Sequence, residues 1–187
     1  QLFLIATSPS ESAWGVAVHT AQRLAIEADT TWRHHVAEAG AAGLKAARAI
    51  GMLTYRNYAT FQAKQTDPDP EKIDDFKASS YINYQGQKLV NRFNAYSYWL
   101  LTKAMDSHHL ARGRGGNLIA VLQSIQQPTL IIGISSDILC PLDEQQFMAT
   151  YMPNAVLEII HSTYGHDGFI IETQQITNLL KPFIHQG

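Results

Sequence analysis

Two loops in the second half of the sequence carry residues that suit acid–base chemistry. The loop 162–168 contains His166 and follows a strand-like apolar run, 155–161. An earlier apolar run, 128–134, is followed by a loop that contains Asp137. A carboxylate that binds one imidazole nitrogen fixes the tautomer, and the other nitrogen can then take a proton from a nucleophile. Asp137 and His166 are therefore candidates for an orienting carboxylate and a general base.

The nucleophile that such a pair would serve is absent from the sequence. In α/β-hydrolases the chain order is serine, then aspartate, then histidine, and the serine lies in a Gly-x-Ser-x-Gly turn. No such turn occurs in the 187 residues. Cys140 follows Asp137 on the same loop, but it is a poor nucleophile candidate and better suits a small apolar packing role. The residues alone also allow a simpler interpretation, in which Asp137 caps the next helix and His166 forms only local hydrogen bonds.

The composition is that of an ordinary globular chain. Its 187 residues suffice for one domain or one and a half, and 45% of them are hydrophobic. A net charge of -2 argues against a nucleic-acid partner, and no apolar run reaches the ~18 residues that a membrane span needs. The single cysteine, Cys140, excludes an intrachain disulfide and indicates a reducing compartment such as the cytoplasm.

Strands and helices alternate towards the C-terminus, which predicts a parallel sheet. The pattern predicts strands over 128–134 and 155–161 and helices over about 143–152 and 173–184. The run from Leu2 to Ala6 predicts a further strand that is buried on both faces. Because such a strand needs neighbours, and because Gln1 precedes it directly, we expect the chain to be a fragment or a processed subunit.

Most of the sequence between these strands predicts helices rather than another sheet layer. Apolar residues at helical spacing predict a helix from 13 to about 27, and the Ala- and Gly-rich segment 37–55 predicts a second helix. Two or three short helices are expected over 73–104 and another over 118–127. An insertion of this kind is typical of an all-helical cap.

Two residues of the 37–55 helix are candidates for a polar pocket. Arg48 and Tyr55 are seven residues apart and therefore share one face of a helix. The simpler interpretation makes Arg48 a surface cation and Tyr55 a packing residue. In the alternative, the guanidinium binds a carboxylate through two parallel hydrogen bonds. The spacing by itself favours the simpler interpretation.

A metal site is not expected in this sequence. The adjacent His108 and His109 offer two ligands, but no third ligand lies at a recognisable spacing. The basic, Gly-rich loop 112–116 that follows them suits a solvated linker.

Several short motifs together resemble the homoserine O-acetyltransferases of the α/β-hydrolase superfamily. The most specific combination is Gly-His-Asp-Gly-Phe at 165–169 with Arg-Gly-Arg-Gly-Gly at 112–116. Further matches are Ser-Ser-Asp-Ile-Leu-Cys-Pro at 135–141, Asn-Arg-Phe at 91–93, Ser-Tyr at 97–98 and Leu-Thr-Tyr-Arg at 53–56. Two positions depart from the family pattern, since Asn94 and His109 stand where aspartate is common.

The resemblance implies the C-terminal part of an α/β-hydrolase fold, with parallel strands flanked by helices and an inserted all-helical cap. Residues 1–12 would form a strand and loop of the hydrolase core, 13–115 the cap, and 116–187 the C-terminal part of the core. The serine elbow and oxyanion loop of the family precede the first strand. The family further implies a homodimer through the helical cap, which suits the aromatic-rich run 81–100.

The resemblance also implies a ping-pong acyl transfer from acetyl-CoA to the hydroxyl of homoserine, a step of methionine biosynthesis, without a permanently bound cofactor. His166 would be the base and Asp137 its orienting carboxylate. Arg48 and Tyr55 match pocket positions for homoserine, where Arg48 would meet the carboxylate and Asp167 the ammonium group. The chain would be inactive without an N-terminal segment that carries the serine.

The sequence leaves several alternatives open. It does not distinguish homoserine from serine or another alcohol, the acceptors of close relatives, and it does not distinguish acetyl-CoA from succinyl-CoA as the donor. With water as the acceptor, the same arrangement gives an esterase-type hydrolase. A non-catalytic domain that kept the fold would need neither acceptor nor donor.

Overall fold

The computed structural model describes residues 1–185. Its strands are β1 (Leu2–Ile5), β2 (Thr129–Ile134) and β3 (Ala155–Ile160). Its helices are α1 (Ala13–Glu27), α2 (Ala41–Tyr55), α3 (Tyr58–Gln65), α4 (Lys77–Val90), α5 (Ala95–Asp106), α6 (Leu118–Gln123), α7 (Leu142–Tyr151), α8 (Gly168–Ile171) and α9 (Thr173–His185), with a 3₁₀ turn at Gly165–Asp167. Within these residues, no helix has both the length and the apolar character to span a lipid bilayer.

The described residues divide into two compact units. The first, here called the sheet unit, comprises 1–11, 55–57 and 108–185. The second, here called the helical unit, comprises 12–54 and 58–107. Assigning these units to a hydrolase core and its cap stays a prediction from the sequence motifs.

The sheet unit is built on a three-stranded parallel sheet with β2 in the middle. The pairing runs from Leu2–Thr129 to Ile5–Ile132 between β1 and β2, and from Thr129–Ala155 to Ile134–Ile160 between β2 and β3. Every residue of β2 is buried. The parallel sheet expected from the sequence is therefore confirmed, and the predicted ends of β2 and β3 are correct to within one residue.

Helices cover both faces of the sheet. Because successive side chains of a strand point to opposite faces, β2 contributes to two hydrophobic clusters. Ile131 belongs to one cluster with Leu122 of α6 and Met148 of α7. Ile132 and Ile134 belong to the other, together with the apolar stripe of α9, which consists of Ile176, Leu179, Leu180 and Phe183. This layering is the usual environment of a parallel strand that is buried on both sides.

The first strand is less buried than the sequence predicts. The run from Leu2 to Ala6 predicts burial on both faces, yet 37% of the surface of Phe3 is exposed. The reason is topological, because within residues 1–185 β1 pairs with β2 alone and forms an edge of the sheet.

The helical unit has a hydrophobic core of its own. Its buried members are Ile26 of α1, Leu44 and Ala47 of α2, Leu89 of α4 and Ala95 of α5. Gly43 lets α2 approach α1 closely, since a Cβ at this position would lie 2.5 Å from the Cα of Ile26. The helices predicted over 13–27 and 73–104 are observed as α1, α4 and α5, whereas the predicted 37–55 helix begins later, at Ala41.

The two positions that depart from the family pattern each keep a side-chain acceptor. Asn94 caps α5, because its Oδ1 accepts a hydrogen bond from the Ser97 amide at 2.7 Å. The Nδ1 of His109 accepts a hydrogen bond from the Ala111 amide at 3.1 Å. An aspartate could accept bonds of the same kind, so both substitutions preserve the local chemistry.

A buried charge cluster joins the middle of α1 to the C-terminal end of α5. His19 Nδ1 lies 2.9 Å from Asp106 Oδ1, and Arg23 Nη2 lies 2.6 Å from Asp106 Oδ2. The same Arg23 nitrogen donates to Thr20 Oγ1 at 2.9 Å. The side chains of His19 and Arg23 are only 10% and 9% exposed. The cluster therefore fixes two helices of this unit through compensated charges.

Candidate active site

The sheet brings the loops that follow β2 and β3 to the same edge. Parallel strands end side by side, and Ile134, the last residue of β2, pairs with Ile160, the last residue of β3. The Ser135 amide extends this pairing by donating to the Ile160 carbonyl at 3.1 Å. Asp137 and His166 lie on these two loops, so the strand register determines that they meet.

His166 and Asp137 form a hydrogen-bonded pair. The imidazole Nδ1 lies 2.8 Å from Asp137 Oδ2. The Asp137 side chain is fully buried, whereas 17% of the His166 side chain is exposed. An ionised carboxylate can only accept hydrogen bonds, so in a neutral imidazole Nδ1 carries the proton and Nε2 keeps its lone pair. This is the tautomer that a general base requires.

Backbone amides hold the carboxylate in place. Asp137 Oδ1 accepts hydrogen bonds from the amides of Leu139 and Cys140, at 2.8 and 2.9 Å. The simpler interpretation, in which Asp137 caps the next helix, is wrong, because Pro141 occupies the cap position of α7 and no side chain makes a cap hydrogen bond there. One carboxylate oxygen shapes the loop before α7, and the other oxygen orients His166.

The imidazole ring contacts two aromatic side chains. The ring centroid of Tyr55 is 5.8 Å from that of His166, and the ring centroid of Phe169 is 5.3 Å away in an edge-to-face geometry. Two serine hydroxyls support the loop, because Ser136 Oγ accepts from the Gly165 amide at 3.0 Å and Ser162 Oγ accepts from the Tyr164 amide at 3.1 Å. These contacts restrict the orientation of the ring.

Gly165 allows the histidine loop to pack closely on residues 55–57. Its φ of +66° lies in the left-handed region, where a side chain is strained. A Cβ on Gly165 would also lie 2.9 Å from the backbone nitrogen of Asn57 and 2.9 Å from the backbone carbonyl oxygen of Tyr55. The glycine that precedes His166 is thus required for both the backbone conformation and the contact.

Asp167 forms an ion pair that the sequence did not predict. Its Oδ2 lies 3.2 Å from Nε of Arg56, the residue after Tyr55. The two side chains are partly buried, with 19% of Asp167 and 26% of Arg56 exposed. Arg56 belongs to one of the motifs that resemble the family, but its spacing from the other charged residues gave no signal for this contact.

Cys140 does not supply a nucleophile. Burial raises the pKa of its thiol to about 12, and the negative charges of Asp137, Glu144 and Glu11 contribute to the same increase. The thiol therefore stays protonated at neutral pH, whereas a cysteine nucleophile acts as a thiolate. This agrees with the packing role that the sequence suggests.

Three side chains from the two loops form a candidate set of metal ligands. Ligand atoms of Asp137, Cys140 and His166 all lie within 4.8 Å of one another. A ligating cysteine must lose its proton, and both oxygens of Asp137 already accept hydrogen bonds. The arrangement therefore suits a hydrogen-bonded pair better than a metal centre. The His108–His109 pair is used locally, since His108 Nε2 lies 3.1 Å from the Ser8 carbonyl oxygen.

Four of the five predicted site residues lie together in the sheet unit. Tyr55 and Asp137 contact His166, and Asp167 is its neighbour in the chain. Arg48 lies in the helical unit, two turns before Tyr55 on α2, and is partly buried. Its predicted role in binding a carboxylate stays a prediction.

The sequence of this chain is similar to those of known acyltransferases. No family model matches the chain. The homoserine O-acetyltransferase of Cyclobacterium marinum is 48% identical over 180 residues, which cover 96% of this chain and 51% of that protein. This chain is a homologue of the homoserine O-acetyltransferases. The resemblance inferred from its motifs is thereby confirmed, and the chain spans about half the length of the curated relatives it matches.

Similarity to solved structures establishes the fold of this homoserine O-acetyltransferase homologue. The crystal structure of homoserine O-acetyltransferase from Bacillus anthracis matches with a TM-score of 0.86 over 97% of this chain and 52% of that chain, at 18% identity. Esterase E22 matches equally well, with a TM-score of 0.86 over 98% of this chain and 54% of that chain, at 18% identity. The predicted α/β-hydrolase fold is confirmed, and one backbone arrangement accommodates both acyltransferases and esterases.

Proposed function

We propose that this chain supplies the general base and its orienting carboxylate to the active site of a homoserine O-acetyltransferase. The observation that carries this proposal is the 2.8 Å contact between His166 Nδ1 and the fully buried Asp137 carboxylate. It leaves Nε2 of a partly exposed imidazole to accept a proton. The 48% identical relative is named as a homoserine O-acetyltransferase, which supports the choice of reaction.

The first half of the proposed reaction transfers an acetyl group from acetyl-CoA to a serine. The serine Oγ attacks the thioester carbonyl carbon while His166 Nε2 takes the hydroxyl proton. The carbon–sulfur bond then breaks, and CoA leaves as a thiol with the proton that the imidazolium returns. Asp137 stabilises the imidazolium during this step.

The second half transfers the acetyl group to the acceptor. The homoserine hydroxyl attacks the acyl-serine carbonyl as His166 takes its proton. The bond to the serine Oγ breaks, and His166 returns the proton to that oxygen. Because CoA leaves before homoserine reacts, the kinetics are ping-pong.

Three further residues would bind the acceptor. Arg48 is proposed to pair with the homoserine carboxylate, since a guanidinium offers two parallel donors to that group. Asp167 is proposed to bind the ammonium group. Tyr55 would line the pocket beside the imidazole, consistent with its ring contact to His166 at 5.8 Å.

The serine would come from a preceding segment of the same protein. The chain spans about half the length of its relatives and contains the aspartate and histidine of the order serine, aspartate, histidine. We therefore infer that it is the C-terminal half of the enzyme, acts in methionine biosynthesis in the cytoplasm and is inactive alone. Exposed apolar residues of α5, among them Tyr96, Leu100 and Leu101, support a homodimer through the helical unit.

The proposed function is tested with the full-length protein that contains this chain. Acetyl-CoA and homoserine are supplied together, thiol release is followed continuously, and O-acetylhomoserine is measured by mass spectrometry. We expect product formation that depends on homoserine and is lost in a His166→Asn variant. The 187-residue chain assayed alone should give no product.

Two other outcomes would contradict the proposal. Thiol release at a rate independent of homoserine, with acetate as the product, would identify a hydrolase, as the fold shared with esterase E22 allows. Binding of neither acetyl-CoA nor homoserine would identify a non-catalytic domain.

A further inference from the structure

Three consecutive residues, 55–57, lie against three consecutive residues of the histidine loop, 165–167. The ring of Tyr55 contacts the ring of His166, and the backbone of 55–57 packs where Gly165 lacks a Cβ. The third contact is the ion pair between Arg56 and Asp167. Of these three contacts, only the ion pair involves a charge next to the proposed base.

Arg56 is held by this contact in an otherwise unsatisfied position. Its Nε is buried and meets no hydrogen-bond partner in good geometry within residues 1–185, yet it lies 3.2 Å from Asp167 Oδ2. A buried donor without a hydrogen bond is costly, so the guanidinium depends on the charge of Asp167 for compensation. The position of each side chain is therefore linked to that of the other.

The ion pair uses only one oxygen of Asp167. Oδ2 faces Arg56, and no other ion pair or side-chain hydrogen bond involves Asp167 in the part of the chain that the structure describes. Oδ1 is thus available to a second cation. A carboxylate that is fixed by one oxygen loses less conformational entropy when the other oxygen binds a ligand.

We propose that Arg56 is a positioning residue that determines acceptor specificity. It holds Asp167 by Oδ2 and leaves Oδ1 for the ammonium group of an amino-acid alcohol. The site thereby prefers acceptors with an ammonium group over hydroxy acids that lack one. This inference rests on the proposed function, because it concerns the acceptor of that reaction.

The test compares two acceptors in the full-length protein. Homoserine carries an ammonium group, and 4-hydroxybutyrate has the same hydroxyl and carboxylate without it. In an Arg56→Met variant, we expect the ratio of the two kcat/KM values to fall by about tenfold or more, through a higher KM for homoserine. The burst of CoA release with acetyl-CoA alone should be unchanged. An Arg33→Met variant, which alters an exposed arginine of the helical unit, is the matched control and should keep the wild-type ratio.

A double-mutant comparison separates positioning from general stabilisation. Asp167→Asn alone should lower the same ratio, and Arg56→Met combined with Asp167→Asn should lower it no further. If the Arg56→Met protein does not fold, Arg56→Gln, which keeps polar donors without the charge, is expected to give the same loss of selectivity.

The outcomes distinguish this inference from the function on which it rests. A wild-type protein that transfers no acetyl group to homoserine overturns both. A wild-type protein that transfers it, with an unchanged ratio in folded Arg56 variants, overturns only the role of Arg56. An effect of Arg56→Met that adds fully to that of Asp167→Asn also overturns the positioning role.

Discussion

Two histidine–aspartate pairs in this chain have nearly the same geometry. His166 Nδ1 lies 2.8 Å from Asp137 Oδ2, and His19 Nδ1 lies 2.9 Å from Asp106 Oδ1. In both pairs the aspartate is mostly buried and the histidine is only slightly exposed. By distance and burial alone, the two pairs are almost indistinguishable.

The pairs differ in what engages the second carboxylate oxygen. Asp137 Oδ1 accepts hydrogen bonds from two backbone amides, whereas Asp106 Oδ2 pairs with the guanidinium of Arg23 at 2.6 Å. Within residues 1–185, the only ion-pair partner of Asp137 is His166, which carries a charge only when its ring is protonated. The charge of Asp106 is already compensated, so it would stabilise an imidazolium less.

Their places in the fold differ as well. His166 lies on a loop after a parallel strand, where α/β proteins keep their sites, whereas His19 lies between two packed helices. The comparison teaches that a hydrogen bond between histidine and aspartate is not by itself a sign of catalysis. A catalytic pair also needs a carboxylate whose charge no other cation compensates, and a histidine that lies on a loop at the end of a parallel strand.

The largest expected difference is in activity. In the full-length protein, His166→Asn should reduce the proposed acetyl transfer to homoserine by about a thousandfold, because the proposed general base is lost. His19→Asn should leave the rate per folded molecule within about twofold of wild type. Steady-state assays normalised to folded protein by circular dichroism provide the measurement. A comparable loss in both variants would mean that the two pairs do not differ in function.

The second prediction concerns the stability that the cluster of His19, Arg23 and Asp106 provides. Asp106→Asn leaves the guanidinium of Arg23 buried without its counter-charge, so the free energy of unfolding should fall by about 4 kcal/mol. The same change at the exposed Asp74 should alter it by less than about 0.5 kcal/mol. Urea denaturation measures both values. An Asp106→Asn protein as stable as the Asp74 variant would show that the cluster does not fix the helices.

The loop that presents His166 depends on a backbone conformation that helix α1 does not need. Gly165→Ala should destabilise the protein by about 3 kcal/mol, because it combines a left-handed φ with a clash against residues 55–57. Gly113→Ala is the matched control, since Gly113 has a φ of +69° but a Cβ there would meet no atom within 4 Å. It should cost about 1 kcal/mol. Equal losses in urea denaturation would show that the contact with 55–57 contributes nothing.

The smallest expected effect concerns the charge around Asp137. Burial, with the charge of Asp137, raises the pKa of Cys140 to about 12, so a thiol reagent should label the folded protein slowly at pH 8 and faster as the pH rises. Asp137→Asn removes a negative charge, lowers that pKa and should accelerate labelling several-fold. Asp106→Asn should not change the rate measured in the folded protein. No acceleration in Asp137→Asn would mean that its charge does not act on Cys140.

The sequence predicted the parts of this protein that depend on local pattern. Alternation of apolar runs and helical periodicity indicated β2, β3 and α9, and the loops after the two strands indicated Asp137 and His166. Motif resemblance then indicated the homoserine O-acetyltransferases, and the chain is 48% identical to one of them over 180 residues. These features follow from side-chain periodicity and from chain order, which are properties of consecutive residues.

The tertiary structure alone decided the contacts between residues that are distant in the chain. The ion pair of Arg56 with Asp167 and the cluster of His19 with Asp106 have no signal in local spacing. Each depends on which segments pack together, and therefore on the free energy of the whole fold. For the same reason the sequence could propose His166 as a base, but only the fold shows a buried carboxylate bound to its Nδ1.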